Sequence, residues 1–253
     1  MLQKLFAKNL ATALAAHCMS TFIQLLSLSR FTKNRNSMTP QSVLLDHLCI
    51  SEEDIVNFRD NNPGLCGVDM SRVSRLLVAQ LSSARKHRVF NSFSVTDVLQ
   101  RIEGVGRVDG YVKSEEPFRH SPLKGFWKAH FFDAGFLRRN LINHWGIAYE
   151  ECPRFNALLS QVESDEEQNP SPHGWHGRIA HEFVVRGYKA RAKNRKMTGE
   201  WIIFAKFNGT NYYLGLAGHS KSKDEDEALY AQVKAYCSFE FPFLFAVTSL
   251  DTG

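Results

Sequence analysis

The 253-residue sequence predicts an α+β protein, with a helix-rich N-terminal part followed by a small antiparallel sheet packed against a basic helix. Three stretches carry that expectation. In "DMSRVSRLLVAQLSSARKHRVF", from Asp69, the positions Val73, Leu76, Leu77, Gln80 and Leu81 follow helical spacing. Asn208-Gly209 stands between two aromatic and β-branched runs, the strongest short-range hairpin signal. Gly177 to Met197 is rich in Arg and Lys and is closed by Gly199, as a helix is. Hydrophobic residues at 43% and aromatics at 12% are enough for a packed core and exclude global disorder.

Four segments follow in order. Residues 1–40 are an N-terminal extension or helix. No acid precedes Asp46, and the apolar stretch Ala11 to Leu28 is interrupted by His17, Cys18, Ser20 and Gln24. An ordinary helix, residues upstream of a start at Met19 or Met38, and a targeting segment all fit this composition. The stretch is too short and too polar to cross a bilayer, so no membrane partner is expected.

Residues 41–162 read as mainly helical. Ser51 caps a helix with Asp54 three residues on, "NNPGLCG" from Asn61 is a turn, and a short helix runs from Thr96 to Glu103. Gly104, Gly106 and Gly110 lack the Walker lysine and the preceding buried strand of a phosphate loop. Asp133 opens a helix that ends at Gly146, while Phe126, Trp127, Phe131 and Phe132 read as core residues rather than base-stacking platforms. The acidic, proline-flanked "ESDEEQNPSP", residues 163–172, reads as a loop or linker.

Residues 173–253 then form an α+β part, which can share one core with the helices before it. An Asn-Gly turn of type I′ fixes a register in which Phe207 faces Thr210, Phe204 faces Tyr213 and Glu200 faces Ala217. Trp201, Ile203, Ala205, Phe207, Tyr212, Leu214 and Leu216 then share a core face. Glu200 and His219 become diagonal neighbours on the other. Ser222 and Glu225 open a helix, and Phe239 to Val247 reads as a further strand with Pro242 at its edge or at a bulge.

The net charge of +5 is mild, so the functional argument rests on where the charge lies. On a helix, Arg178, Glu182, Arg186, Lys189, Lys193 and Lys196 fall within one quadrant, and the single acid Glu182 stands against seven basic residues from Arg178 to Lys196. Pairing cannot neutralise such a face. A phosphate backbone rewards it through counterion release, so nucleic acid, RNA foremost, is the expected partner through Arg178, Arg186, Lys189, Lys193, Arg195 and Lys196. An acidic protein surface is the other partner such a face suits.

Glu200 and His219, beside the end of that helix, form a candidate acid/base pair for metal-independent RNA cleavage, with His120 and His130 as further candidates. The layout is similar in topology to small bacterial ribonuclease toxins, on no shared motif. A non-catalytic nucleic-acid-binding or regulatory module is the alternative. His173, His176 and His181 lack the register of a zinc helix, so neither metal nor cofactor is expected. Five cysteines without a CxxC pair point to a reducing compartment, the cytoplasm.

Overall fold

The computed structural model describes residues 39–105, 114–133, 136–147, 152–194, 199–220 and 222–246, with the backbone alone for Arg138 and Arg139. The segment 1–38 thus lies outside the described residues, as do Arg195 and Lys196 of the basic stretch. In chain order the elements are α1 (Pro40–Leu48), α2 (Glu52–Asn61), α3 (Arg75–Lys86), α4 (Phe93–Ile102), β1 (Glu116–Pro117), β2 (Phe126–Phe131), α5 (Leu137–Trp145), α6 (Pro153–Gln168), α7 (Gly174–His181), a π-helical turn Glu182–Arg186, α8 (Gly187–Lys193), β3 (Glu200–Phe207), β4 (Thr210–Ala217) and α9 (Lys223–Cys237). The protein is α+β and helix-rich, and the described residues form a four-stranded antiparallel sheet in the order β1-β2-β3-β4.

Two compact units form. One takes the described residues from Phe132 to Gly199, and the other takes those before Phe132 together with those from Glu200 onward. The helical unit is an insertion between neighbouring strands, because β2 pairs with β3 and Phe131 lies directly opposite Glu200. This division differs from the one expected at residues 163–172, since β2 draws the first helices into the same unit as the hairpin. Residues 163–168 continue α6 instead of forming a loop; the helix ends only at Asn169, before Pro170.

The sheet unit is organised by α3, which lies on β4 and is buried along nearly its whole length. Ala79, Ser82, Ser83 and Ala84 are small enough for close approach, and the hydroxyls of Ser82 and Ser83 donate to the carbonyls of Asp54 and Leu48 (3.0 and 2.9 Å). Ser51 and Asp54 form a reciprocal capping box on α2, as the spacing predicts. Asn208 and Gly209 both adopt positive φ (49° and 74°), the two left-handed residues that a type I′ turn needs.

Near the turn the pairing is as expected, Phe207 opposite Thr210 and Phe204 opposite Tyr213. Beyond Phe204 it slips by one residue: Ile203 faces Gly215 and Trp201 faces Ala217, leaving Leu214 as the extra residue of a bulge. Helix α3 explains the slip. β4 is an edge strand, and fully buried Gln80 bonds both backbone groups of Leu216 (2.7 and 3.0 Å), while the Ser74 hydroxyl donates to Leu214 O and its backbone N–H to Tyr213 O. The freed backbone groups of the bulge are therefore satisfied without a further strand.

The strand expected over Phe239–Val247 is instead a 3₁₀ turn at Pro242–Leu244. Proline donates no backbone N–H, and it occupies the first turn here. The described C-terminal aromatics still pack: Phe245 lies 5.7 Å from Phe126, and Phe243 lies 4.7 Å from Phe207 and 5.1 Å from Tyr212, between ring centroids.

The helical unit has its own core of Leu141, Trp145, Phe155, Leu158, Leu159, Val162, Ile179 and Phe183. Its basic segment is not one uninterrupted α-helix. At the π-turn the Trp145 indole donates to Phe183 O (2.9 Å), taking a carbonyl that the widened turn releases. Gly187 makes room for that indole.

Candidate nucleic-acid interface

The bulge decides what happens at the end of the sheet. Because alternate residues of a strand face opposite sides, the one-residue slip places His219 on the Trp201 side rather than the Glu200 side. The His219 ring stacks on Trp201 (4.6 Å between centroids, 25° between planes), and His130, directly opposite Trp201 on β2, has its ring 5.2 Å from that of His219. Lys128, two residues earlier, holds Nζ 4.3 Å from the Trp201 ring centre. Glu200 is buried, and its Oε2 accepts the backbone N–H of His219 (3.1 Å). The expected contact between the Glu200 and His219 side chains is thus replaced by a carboxylate-to-backbone bond.

Three of the four acid/base candidates, His130, Glu200 and His219, therefore meet at one end of the sheet. His120 is exposed in the β1–β2 connection, beyond the opposite end of β2 from His130. The chemistry of the cluster follows from one bond. Trp201 Nε1 lies 3.0 Å from His130 Nε2, and an indole N–H is a donor only. His130 Nε2 is therefore the acceptor in this contact.

In the helical unit the predicted cationic stripe is rearranged. Arg178 is an ion-paired structural residue: its Nε lies 2.6 Å from Glu166 Oε2, and a second nitrogen donates to Asn169 O. Reading residues 163–172 as a loop hid this partner, since only a helix through Gln168 sets Glu166 beside α7. The Arg178 guanidinium in turn holds the Glu166 carboxyl below its ordinary value. Glu182 meets His181 (3.3 Å) rather than Arg178 or Arg186.

Arg186, Lys189 and Lys193 remain exposed, and at spacings of three and four they share a face. Two further residues join them, Arg154 and Arg191, neither anticipated as an anion contact. Arg154, in the first turn of α6, donates to His144 O (3.4 Å), and Arg191 Nε donates to Asn140 Oδ1 (2.9 Å), one helical turn from His144. Arg186 donates to Gln161 Oε1 (2.9 Å), two turns along α6 from Arg154. Burial, then the charges of Arg154, Arg191 and Arg186, hold the His144 imidazole below its ordinary pKa, so positive potential concentrates there. The signal for these residues lay in the αα contact between α5 and α8, which no local spacing reveals.

Among the described residues, no group of three His, Cys, Asp or Glu side chains is placed to hold a metal ion, and no helix is long and apolar enough to cross a membrane. No family model, curated protein or solved structure matches the chain.

Proposed function

We propose that the protein binds nucleic acid, RNA foremost, through the phosphate backbone, using the basic face of its inserted helical unit, and that it binds without cleaving. The observation that carries this reading is the exposed row Arg186, Lys189 and Lys193, joined by Arg154 and Arg191 around His144. The neutral oxygens of His144, Gln161 and Asn140 anchor the three guanidiniums, which orients them without cancelling their charge. Backbone contacts position a strand but carry no base code, so binding tolerates changes of sequence. The four described cysteines are thiols, in keeping with a place in the cytoplasm.

The alternative of a metal-independent endoribonuclease is the less supported at His130, whose Nε2 is already engaged by the Trp201 indole. The experiment is fluorescence anisotropy with a labelled single-stranded RNA, a DNA of the same sequence and the triple variant Arg186→Glu, Lys189→Glu, Lys193→Glu. Three reversed charges are expected to weaken binding by about 100-fold or more at low salt. The melting temperature should change little, since exposed substitutions each cost within about 0.5 kcal/mol. Unchanged affinity in the folded variant removes this reading, and RNA shortened during the incubation restores the nuclease.

A further inference from the structure

We propose that His144, Arg154 and Arg191 form an oxyanion subsite that takes one phosphate of the bound nucleic acid and gains a proton on His144 as it does so. The proposal rests on the nucleic-acid reading and deepens it, because it sets one phosphate apart from those met by Lys189 and Lys193. His144 is half-buried in the last turn of α5, its ring edge-on to Trp145 (4.5 Å between centroids). On one side Arg154 reaches its carbonyl, using one of five guanidinium donors, and on the other Arg191 is fixed by Asn140, whose own Nδ2 donates to Phe136 O (2.9 Å). Asn140 is fully buried, so the Arg191 anchor rests on packed structure.

The π-turn contributes the third cation. It precedes Gly187, where Trp145 packs, and it ends at Arg186, whose anchor Gln161 stands on the same α6 face as Arg154. Two guanidiniums beside an imidazole, with a third about two helical turns away, suit a tetrahedral oxyanion better than a carboxylate, which one planar guanidinium satisfies. Among the described residues the charged groups acting on His144 are Arg154 from α6, Arg191 from α8 and Arg186 from the π-turn, all positive. Without a bound anion they favour neutral imidazole. An arriving phosphate offsets them and reverses the preference, so affinity rises as pH falls through the histidine range.

The test follows the His144 side-chain resonances of the full chain by NMR across about pH 5.5 to 7.5. The arms are sodium chloride, sodium sulfate at equal ionic strength, and a single-stranded RNA of about 12 nucleotides. Sulfate is a tetrahedral anion that does not titrate in this range. Its addition, and that of RNA, is expected to raise the His144 pKa by about one unit relative to chloride, a tenfold gain in proton affinity. Arg154→Gln should shrink that rise while keeping His144 in place. His144→Asn should flatten the pH dependence of RNA affinity and leave the part that depends on Lys189 and Lys193. If RNA binds and His144 titrates as in chloride, the subsite is overturned and the nucleic-acid reading stands. If RNA does not bind, a shift with sulfate supports the subsite as a site for a free anion, and no shift overturns it.

Discussion

Replacing Glu103 with alanine is expected to lower the unfolding free energy by about 3 kcal/mol, the cost of breaking a shielded ion pair and stranding its partners. Glu103 closes α4, and its two oxygens serve three donors: Arg72 (2.7 Å), the Tyr213 hydroxyl (2.6 Å) and Asn211 (3.2 Å). Tyr213 is completely buried, so its hydroxyl has no water to turn to when the carboxylate goes. Tyr213→Phe removes one donor and strands nothing comparable, and about 1 kcal/mol is expected.

The pH dependence follows from the same contacts. Burial penalises the Glu103 charge, but the hydrogen bonds from Arg72, Tyr213 and Asn211 outweigh that penalty and hold its carboxyl below the ordinary 4.5. A carboxyl with a lowered folded-state pKa contributes fully above its unfolded value and loses that contribution as pH falls through the folded value. Urea unfolding of the wild type and of Glu103→Ala should therefore show a gap that is wide at neutral pH and narrows in acid. A gap that stays constant across that range counts against the assignment.

Gly187→Ala should destabilise the helical unit by about 2 kcal/mol, although the same change in an open helix stabilises by about 1 kcal/mol. A Cβ at this position would lie 2.7 Å from both Leu141 Cδ2 and Trp145 Nε1. The leucine methyl can swing away. The indole cannot do so freely, because it donates to Phe183 O and its ring stacks on that of Phe183 (6.0 Å between centroids, 21° between planes). The alanine therefore presses on the bond that holds the π-turn, and Arg186 should lose its position with it. Hydrogen exchange over Glu182–Lys193 and RNA affinity should both report the change. Protection equal to or greater than that of the wild type would show that the indole yields.

What was legible in the sequence follows from interaction range. The Asn208-Gly209 turn, the Ser51–Asp54 capping box, the Ser222 cap and the Gly146 stop are each set within a few residues, and the structure has all four. β2 went unread as a strand although "FWKAHF" follows Gly125, because its partner β3 comes only after the whole inserted unit. The bulge at Leu214 is imposed by Ser74 and Gln80, far away in sequence, so a register counted outward from the turn could not anticipate it. That is why Glu200 and His219 meet by a different contact from the one the turn implies, and why His130, which no local spacing links to them, stands beside both. The charge stripe shows the same limit. Helical spacing placed Arg186, Lys189 and Lys193 on one face, whereas the loss of Arg178 to Glu166 and the gain of Arg154 and Arg191 depend on packing between helices.

The salt dependence of RNA affinity tests the central claim most directly. Each phosphate met by a cation releases condensed counterions, with a slope in log K against log salt of about −0.7 per contact on single strands. Four or five engaged cations among Arg154, Arg186, Lys189, Arg191 and Lys193 predict a slope near −3 for the wild type. In the triple Glu variant the slope should fall by about two or more. A wild-type slope near zero, or no binding at low salt, would contradict the account.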